Sequence, residues 1–368
     1  MVALATAIVP GADRMTRMAH EIDTTTGRAA MAYIGQTPWH GLGRRLEEGA
    51  TIETWQQAAG MEWEVLRSKV RFAIEQDGTG ERVWNDKHVL FRSDTKMPLG
   101  VVSSSYCTVQ PKEVLEFFRD LTSGMGFTLE TAGCLFQGRR FWALARVTGD
   151  VAMIDPEDKV GGYLLLSTSA DGTLATSARF TTIRVVCNNT LSVAINGKPG
   201  YSLPHSTTFN ADTAKMELGL KAETLVGGFA SAMDMLRRLA AKPITALDAA
   251  DATLRLFNPD LDTMTTAERE KAAKARNVQT VRDLAAGIGL IGADMRGGSG
   301  TAWGWLNAVT QHVDHEKKTK TQDRRLDSAW FGPGDILKRR ALGIATEMAT
   351  GTAAAEVETV DDREMVEV

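Results

Sequence analysis

The sequence predicts an α+β fold: an antiparallel sheet with a packed helix in the N-terminal half, and a mostly helical C-terminal half. Three observations carry this. Segments rich in β-branched and aromatic residues crowd the first 204 positions. Two connections between them, Gln137-Gly138 and Asp171-Gly172, are hairpin signals, and short hairpin turns join antiparallel strands. After Pro204 apolar residues recur at helical spacing. Strands gathered before helices argue against a doubly wound parallel sheet.

Residues 1–17 read as a disordered extension, with Met18 as an alternative start. TPWHGLG, 37–43, reads as a loop carrying Trp39 and His40. Thr51 opens a short helix that Gly60 stops. Residues 63–74 read as a strand and 76–80 as a turn. RVWND and KHVLFRSD read as two strands or one interrupted strand, and 100–109 as another. Pro111 suits the first position of a helix, where its missing N–H costs nothing. That helix sets Val114, Leu115, Phe117, Phe118 and Leu121 on one face and ends at Gly124. Two hairpins come next, around Gln137-Gly138 and Asp171-Gly172. NNTLSVAI is expected to begin a helix, capped by Asn188 or Asn189.

HSTTFN reads as a linker with a cap. Helices are expected over 211–241, 245–257, 265–286, 301–318 and 325–349. Residues 287–300 read as a flexible connector, because they lack the Gly-Lys-Ser/Thr ending of a phosphate loop. The expected organisation is an α+β domain over 18–204, a helical region over 205–346 and an acidic disordered tail over 347–368.

The chain has 368 residues, is 43% hydrophobic and 24% charged, and carries a net charge of -4. This composition excludes collagen, coiled coil and a small disulfide scaffold. Residues 347–368 hold seven acids and one base, a net -6, so the remainder stands at +2. An acidic tail over a mildly basic body either keeps the chain soluble or competes with nucleic acid for a basic face. Cys107, Cys134 and Cys187 form no C-x-x-C pair, which suits a reducing cytoplasm. No apolar run approaches the ~20 residues of a membrane span.

Three constellations could carry chemistry. In SARFTTIRVVCNNTLSVAI, Arg179 and Arg184 lie five apart on a strand and so face opposite sides. Arg184 precedes an apolar run and needs a carboxylate, a phosphate or carbonyls. An internal ion pair is the structural reading. An anion held with the free N–H groups at Asn188 and Asn189 is the functional one. In HVDHEKKTK, His312 and His315, with Asp314 between them, would share a helical face, so the two imidazoles could bind one divalent metal. A third protein ligand such as His40 or His205 is then required. Arg139, Arg140, Phe141, Trp142, Lys317 and Lys318 combine cations with aromatic rings, a pattern that suits single-stranded nucleic acid. No nucleophile elbow, Walker sequence or dinucleotide fingerprint occurs, so catalysis has little support.

TPWHGLG, VVSSSYCTVQPKEVLEFF, STSADGTLATSARFTTIRVVCNNTLSVAI and TAWGWLNAVTQHVDHEKK occur in that order. Together they resemble the phage/plasmid-like proteins of domain of unknown function family 932, over about 18–342. The resemblance implies an origin on phages, plasmids or integrated elements, and it supplies no catalytic residues to carry over. Relatives read Val-Gln-Asn where this chain has Val109-Gln110-Pro111. The proline removes a side-chain role at 111 and fits a helix start.

The leading expectation is a cytoplasmic mobile-element protein that binds nucleic acid, single-stranded DNA foremost, in replication, recombination or annealing. Arg139, Arg140, Arg179, Arg184, Lys317 and Lys318 would contact phosphate, and Trp142 or Phe141 would stack. The first alternative is a metal-dependent hydrolase or nuclease-like enzyme built on His312, Asp314 and His315. The second is a protein-binding host-defence antagonist. A homo-oligomer fits any of the three, and no membrane contact is expected.

Overall fold

The computed structural model describes residues 29–35, 43–74, 80–124, 127–147, 152–155, 158–184, 190–193, 200–217, 222–295, 297–320 and 322–351. The expected extension over 1–17, His40, and the caps Asn188 and Asn189 lie outside them.

Two sheets form. The larger has nine strands: β1 (Met31–Tyr33), β2 (Arg44–Arg45), β6 (Thr128–Leu135), β7 (Arg140–Arg146), β8 (Ala152–Asp155), β9 (Asp158–Ser169), β10 (Thr176–Arg184), β11 (Thr190–Ser192) and β12 (Tyr201–Leu203). Its order is β11-β10-β9-β7-β6-β1-β2, with β12 paired to β10 and β8 to β9. All its pairings are antiparallel except β1 with β2. The smaller sheet is the ribbon β3 (Val65–Ala73), β4 (Glu81–Arg92) and β5 (Pro98–Ser103).

Both expected hairpins form. β6 and β7 are joined by a single 3-10 turn, in which Gln137 and Gly138 take left-handed φ values of 61° and 93°. Asp171 Oδ1 accepts from the Thr173 amide at 3.0 Å and organises the β9–β10 loop as an Asx turn.

The large sheet is covered on both sides. Phe141, Ala143, Leu164, Leu166 and Phe180 join the main core with Trp55 of α1 (Ile52–Ala58) and Leu115 of α2 (Pro111–Glu116). The opposite face presents Leu135, Trp142, Leu144 and Leu165 to Phe331 and Trp330 of α10 (Gln322–Phe331). The main core runs from Ala30 to Ala345 and continues across the expected boundary at 204/205.

Four expectations are corrected. The helix expected from 188 is strand β11 where it is described, since Leu191 pairs with Thr182 of β10. The strand over 100–109 stops at Ser103. The helix after Pro111 divides at Phe117 and Phe118 into α2 and α3 (Arg119–Gly124). The acidic tail is helical to Thr350, where α11 (Pro333–Thr350) ends in a left-handed Gly351. Glu347 is held there by Arg255 at 2.8 Å. The remaining helices are α4 (Ala211–Glu217), α5 (Ala222–Ala241), α6 (Ala246–Phe257), α7 (Thr266–Ala273), α8 (Arg276–Ala285) and α9 (Ala302–Gln311). The connector after α8 is anchored: Gln311 Oε1 accepts from the Ile291 amide, and Nε2 donates to the Gly289 carbonyl.

Candidate functional site

The sequence-predicted residues divide into a buried seam and scattered surface positions. The seam lies where α10, α11 and the turn after α9 meet β10 and β11. Asp335, in the first turn of α11, is buried and gathers three partners. Arg179 Nη1 and Arg339 Nε each approach Asp335 Oδ2 to 3.1 Å, and Ser192 Oγ donates to Oδ1 at 2.7 Å. Arg140 is buried in an ion pair with Asp327 and also donates to Thr173 Oγ1 at 2.9 Å. A buried arginine must be neutralised where it sits. Arg140 and Arg179 are therefore engaged with carboxylates, away from solvent phosphate. Trp142 is also buried and meets Trp330 edge-on at 5.0 Å, so neither of its faces is open to a base. Phe141 is buried in the main core.

The histidine pair falls on a π-helical turn, His312–Glu316, and not on an α-helix. Such turns insert a residue and rotate the side chains beyond it. Here the turn delivers Asp314 inward: Oδ1 accepts from Lys338 Nζ at 2.8 Å, and Oδ2 from the Thr190 amide at 2.7 Å. Lys338 Nζ also donates to Thr190 Oγ1 at 2.6 Å. His312 is buried edge-on to Phe257 at 6.0 Å. Burial, reinforced by Lys317, lowers its pKa to about 4. Among the described residues no three ligating side chains converge, and Asp314 serves Lys338 and Thr190; His40, another candidate ligand, lies outside the described residues.

The remaining cations are spread out. Arg139 and Lys318 are exposed, and Lys317 is half-buried. Arg184 ends β10, paired to Val160, and its side chain lies outside the described set.

Among the described residues, the ribbon carries a row of exposed cations on one face and exposed aromatics on the other, although it reads in sequence as ordinary strand. Arg67, Lys69 and Arg71 alternate along β3 and are exposed. Alternate residues share one face of a strand. β3 is an edge strand among the described residues. Arg71 meets Glu81 at 3.3 Å, with both side chains 64% exposed, and Arg67 donates to the Tyr106 carbonyl. The opposite face holds Leu66, Val70 and Phe72, with Trp84 across from Val70 and Arg82 across from Phe72. Lys87 Nζ lies 5.9 Å from the Trp84 ring centre.

The ribbon is fixed to the body at its base. The Val65 amide donates to Gln110 Oε1 at 2.8 Å, and Gln110 Nε2 donates to the Val65 carbonyl at 3.2 Å. Arg92, nearly inaccessible, stacks 4.3 Å from the Trp63 ring and pairs with Asp94 at 2.8 Å. A signal for the row exists in the sequence: bases at 67, 69 and 71 repeat with period two.

A family model described as Domain of unknown function (DUF932) matches residues 98–330. No curated protein and no solved structure matches the chain. The matched segment holds most of the buried seam. The ribbon strands β3 and β4 precede it.

Proposed function

The chain belongs to the DUF932 family, and from that premise we propose that it binds nucleic acid, single-stranded DNA foremost, in the replication, recombination or annealing of a mobile element. The mobile-element setting rests on the sequence resemblance. One observation carries the binding: the exposed row Arg67, Lys69 and Arg71 on the open edge of β3. Alternate residues of a strand stand about 6.8 Å apart, close to the distance between successive phosphates of an extended strand. Phosphate contacts dominate nucleic-acid affinity. With Trp142 and Phe141 buried, binding relies on phosphate tracking and not on base stacking within the large sheet.

The test is fluorescence anisotropy of labelled single-stranded and duplex DNA at several salt concentrations. The proteins are the full chain, Lys69→Ala/Arg71→Ala, and a form lacking residues 352–368. Salt-sensitive binding to single strands is expected. Each lost phosphate contact should flatten the log–log salt slope by about 0.7. Removal of the acidic segment should strengthen binding. No binding at low salt, or binding indifferent to the double substitution, overturns the proposal.

A further inference from the structure

A different observation, on the other side of the ribbon, points to a second copy of this chain. Among the described residues nine large apolar side chains are exposed, and five of them belong to the ribbon sheet or its immediate end: Phe72, Ile74, Val83, Trp84 and Val101. Pairing register decides which share a face. Val70 stands across from Trp84, and Ser68 is across from Val89, which is in turn across from Val101. With side chains alternating along β3, Leu66, Val70, Phe72, Trp84, Val89 and Val101 form one surface, turned away from the buried Val65, Leu90 and Val102. Phe72 is 49% exposed, Trp84 47% and Val101 54%. Ordinary half-buried sheets turn this kind of face inward.

We infer that this face mediates self-association, with the ribbon sheet of one copy packed face to face on that of another. Area supports it. Phe72, Ile74, Trp84 and Val101 are each about half exposed. At roughly 150–250 Å² for a large aromatic side chain and less for an aliphatic one, they present about 350–400 Å² of apolar surface. That is within the roughly 300–600 Å² of the largest patch on a typical monomer, a patch that is often functional. A standard interface buries about 800 Å² per partner, and only about 60% of that is apolar. This face, with half-buried Leu66, Val70 and Val89 added, supplies most of the apolar share. Sheets pack well in this way, about 10 Å apart.

Charge supports it too, and fixes the mode. Edge-to-edge pairing of β3 with a second β3 would bring Arg67, Lys69 and Arg71 alongside their own copies, and cations on an edge strand resist such pairing. The apolar face carries only Arg82 and Lys87 beside its rings, and Lys87 already lies over Trp84. Face-to-face association therefore buries the rings and leaves the cation rows of both copies in solvent. Such a dimer would turn its two cation rows outward, one on each side.

The test is sedimentation equilibrium of the full chain over a wide concentration range, beside Trp84→Glu and Phe72→Glu. Thermal melts and circular dichroism of all three confirm folding. A dimer or larger species is expected for the parent chain, with at least a tenfold weaker association in each variant. A parent chain that stays monomeric at high concentration overturns the inference, as does an oligomer untouched by both substitutions. Loss of short-oligonucleotide binding in Trp84→Glu with no change in mass would assign the face to bases and overturn it as well. Failure of the nucleic-acid proposal is read separately, on Lys69→Ala/Arg71→Ala, whose substitutions lie on the other face.

Discussion

Lys338 and Asp314 form a contact pair at 2.8 Å in which the lysine side chain keeps 1% of its solvent exposure and the carboxylate 7%. They come from different helical elements, and Thr190 of β11 completes the triangle. This triangle ties the C-terminal helix to the edge of the large sheet. A pair so dry gives little net stabilisation over an apolar pair of the same shape, yet it is costly to break.

Lys338→Met should therefore destabilise the protein by about 3–5 kcal/mol, because Asp314 is left charged and buried. Lys338→Met/Asp314→Leu should recover most of that loss. Urea unfolding of both variants checks the pair. A double variant no better than the single would mean that the packing, and not the stranded charge, was lost.

Acid should unfold the protein partly through His312. Its pKa falls from 6.5 to about 4, first because burial penalises the imidazolium and second because Lys317 repels it. Between those values the unfolded chain takes up a proton that the folded chain refuses. The stabilisation is full above about 6.5 and is lost as pH falls toward 4. It amounts to at most about 3 kcal/mol. His312→Gln should flatten the dependence of stability on pH across that window.

Gly304→Ala tests two opposed effects. Alanine is favoured over glycine inside a helix by about 1 kcal/mol. In α9, however, a Cβ at 304 would collide with the Gly298 carbonyl oxygen, a backbone atom that cannot swing away. Overpacking of this kind costs about 1–3 kcal/mol or more. A net loss of about 2 kcal/mol is expected in thermal or chemical unfolding, where a purely local helix would gain.

Arg179→Ala and Trp142→Ala should separate stability from binding. Each disturbs the buried seam and should cost about 3–5 kcal/mol, while the folded fraction keeps its affinity for DNA. Lys69→Ala/Arg71→Ala should do the reverse, leaving the melting temperature nearly unchanged. Anisotropy and melting on the same preparations read both.

How much of this fold is legible in the sequence depends on how far each signal reaches. The turns at Gln137-Gly138 and Asp171-Gly172 are local, and both hairpins stand where the sequence places them. The cap at Thr51 and the proline at the head of α2 are local too. β11 is hidden because an asparagine pair before an apolar run resembles a helix start, whereas pairing with β10 decides the outcome. Asp314 resembles a metal ligand because its partners, Thr190 and Lys338, are 124 and 24 positions away. The row at 67, 69 and 71 resembles the solvent side of an ordinary strand. Only the assembled ribbon reveals that the apolar side faces water as well.

The side chain of Gln110 grips Val65 as a neighbouring strand would, accepting from its amide and donating to its carbonyl. Its own backbone amide is meanwhile held by Glu113 at the start of α2. Because side chains alternate along a strand, a slip of a single residue would exchange the ribbon's two surfaces, sending the cations where the rings now stand. One amide, pinned to a helix, thus acts as an indexing tooth that keeps the ribbon right side out.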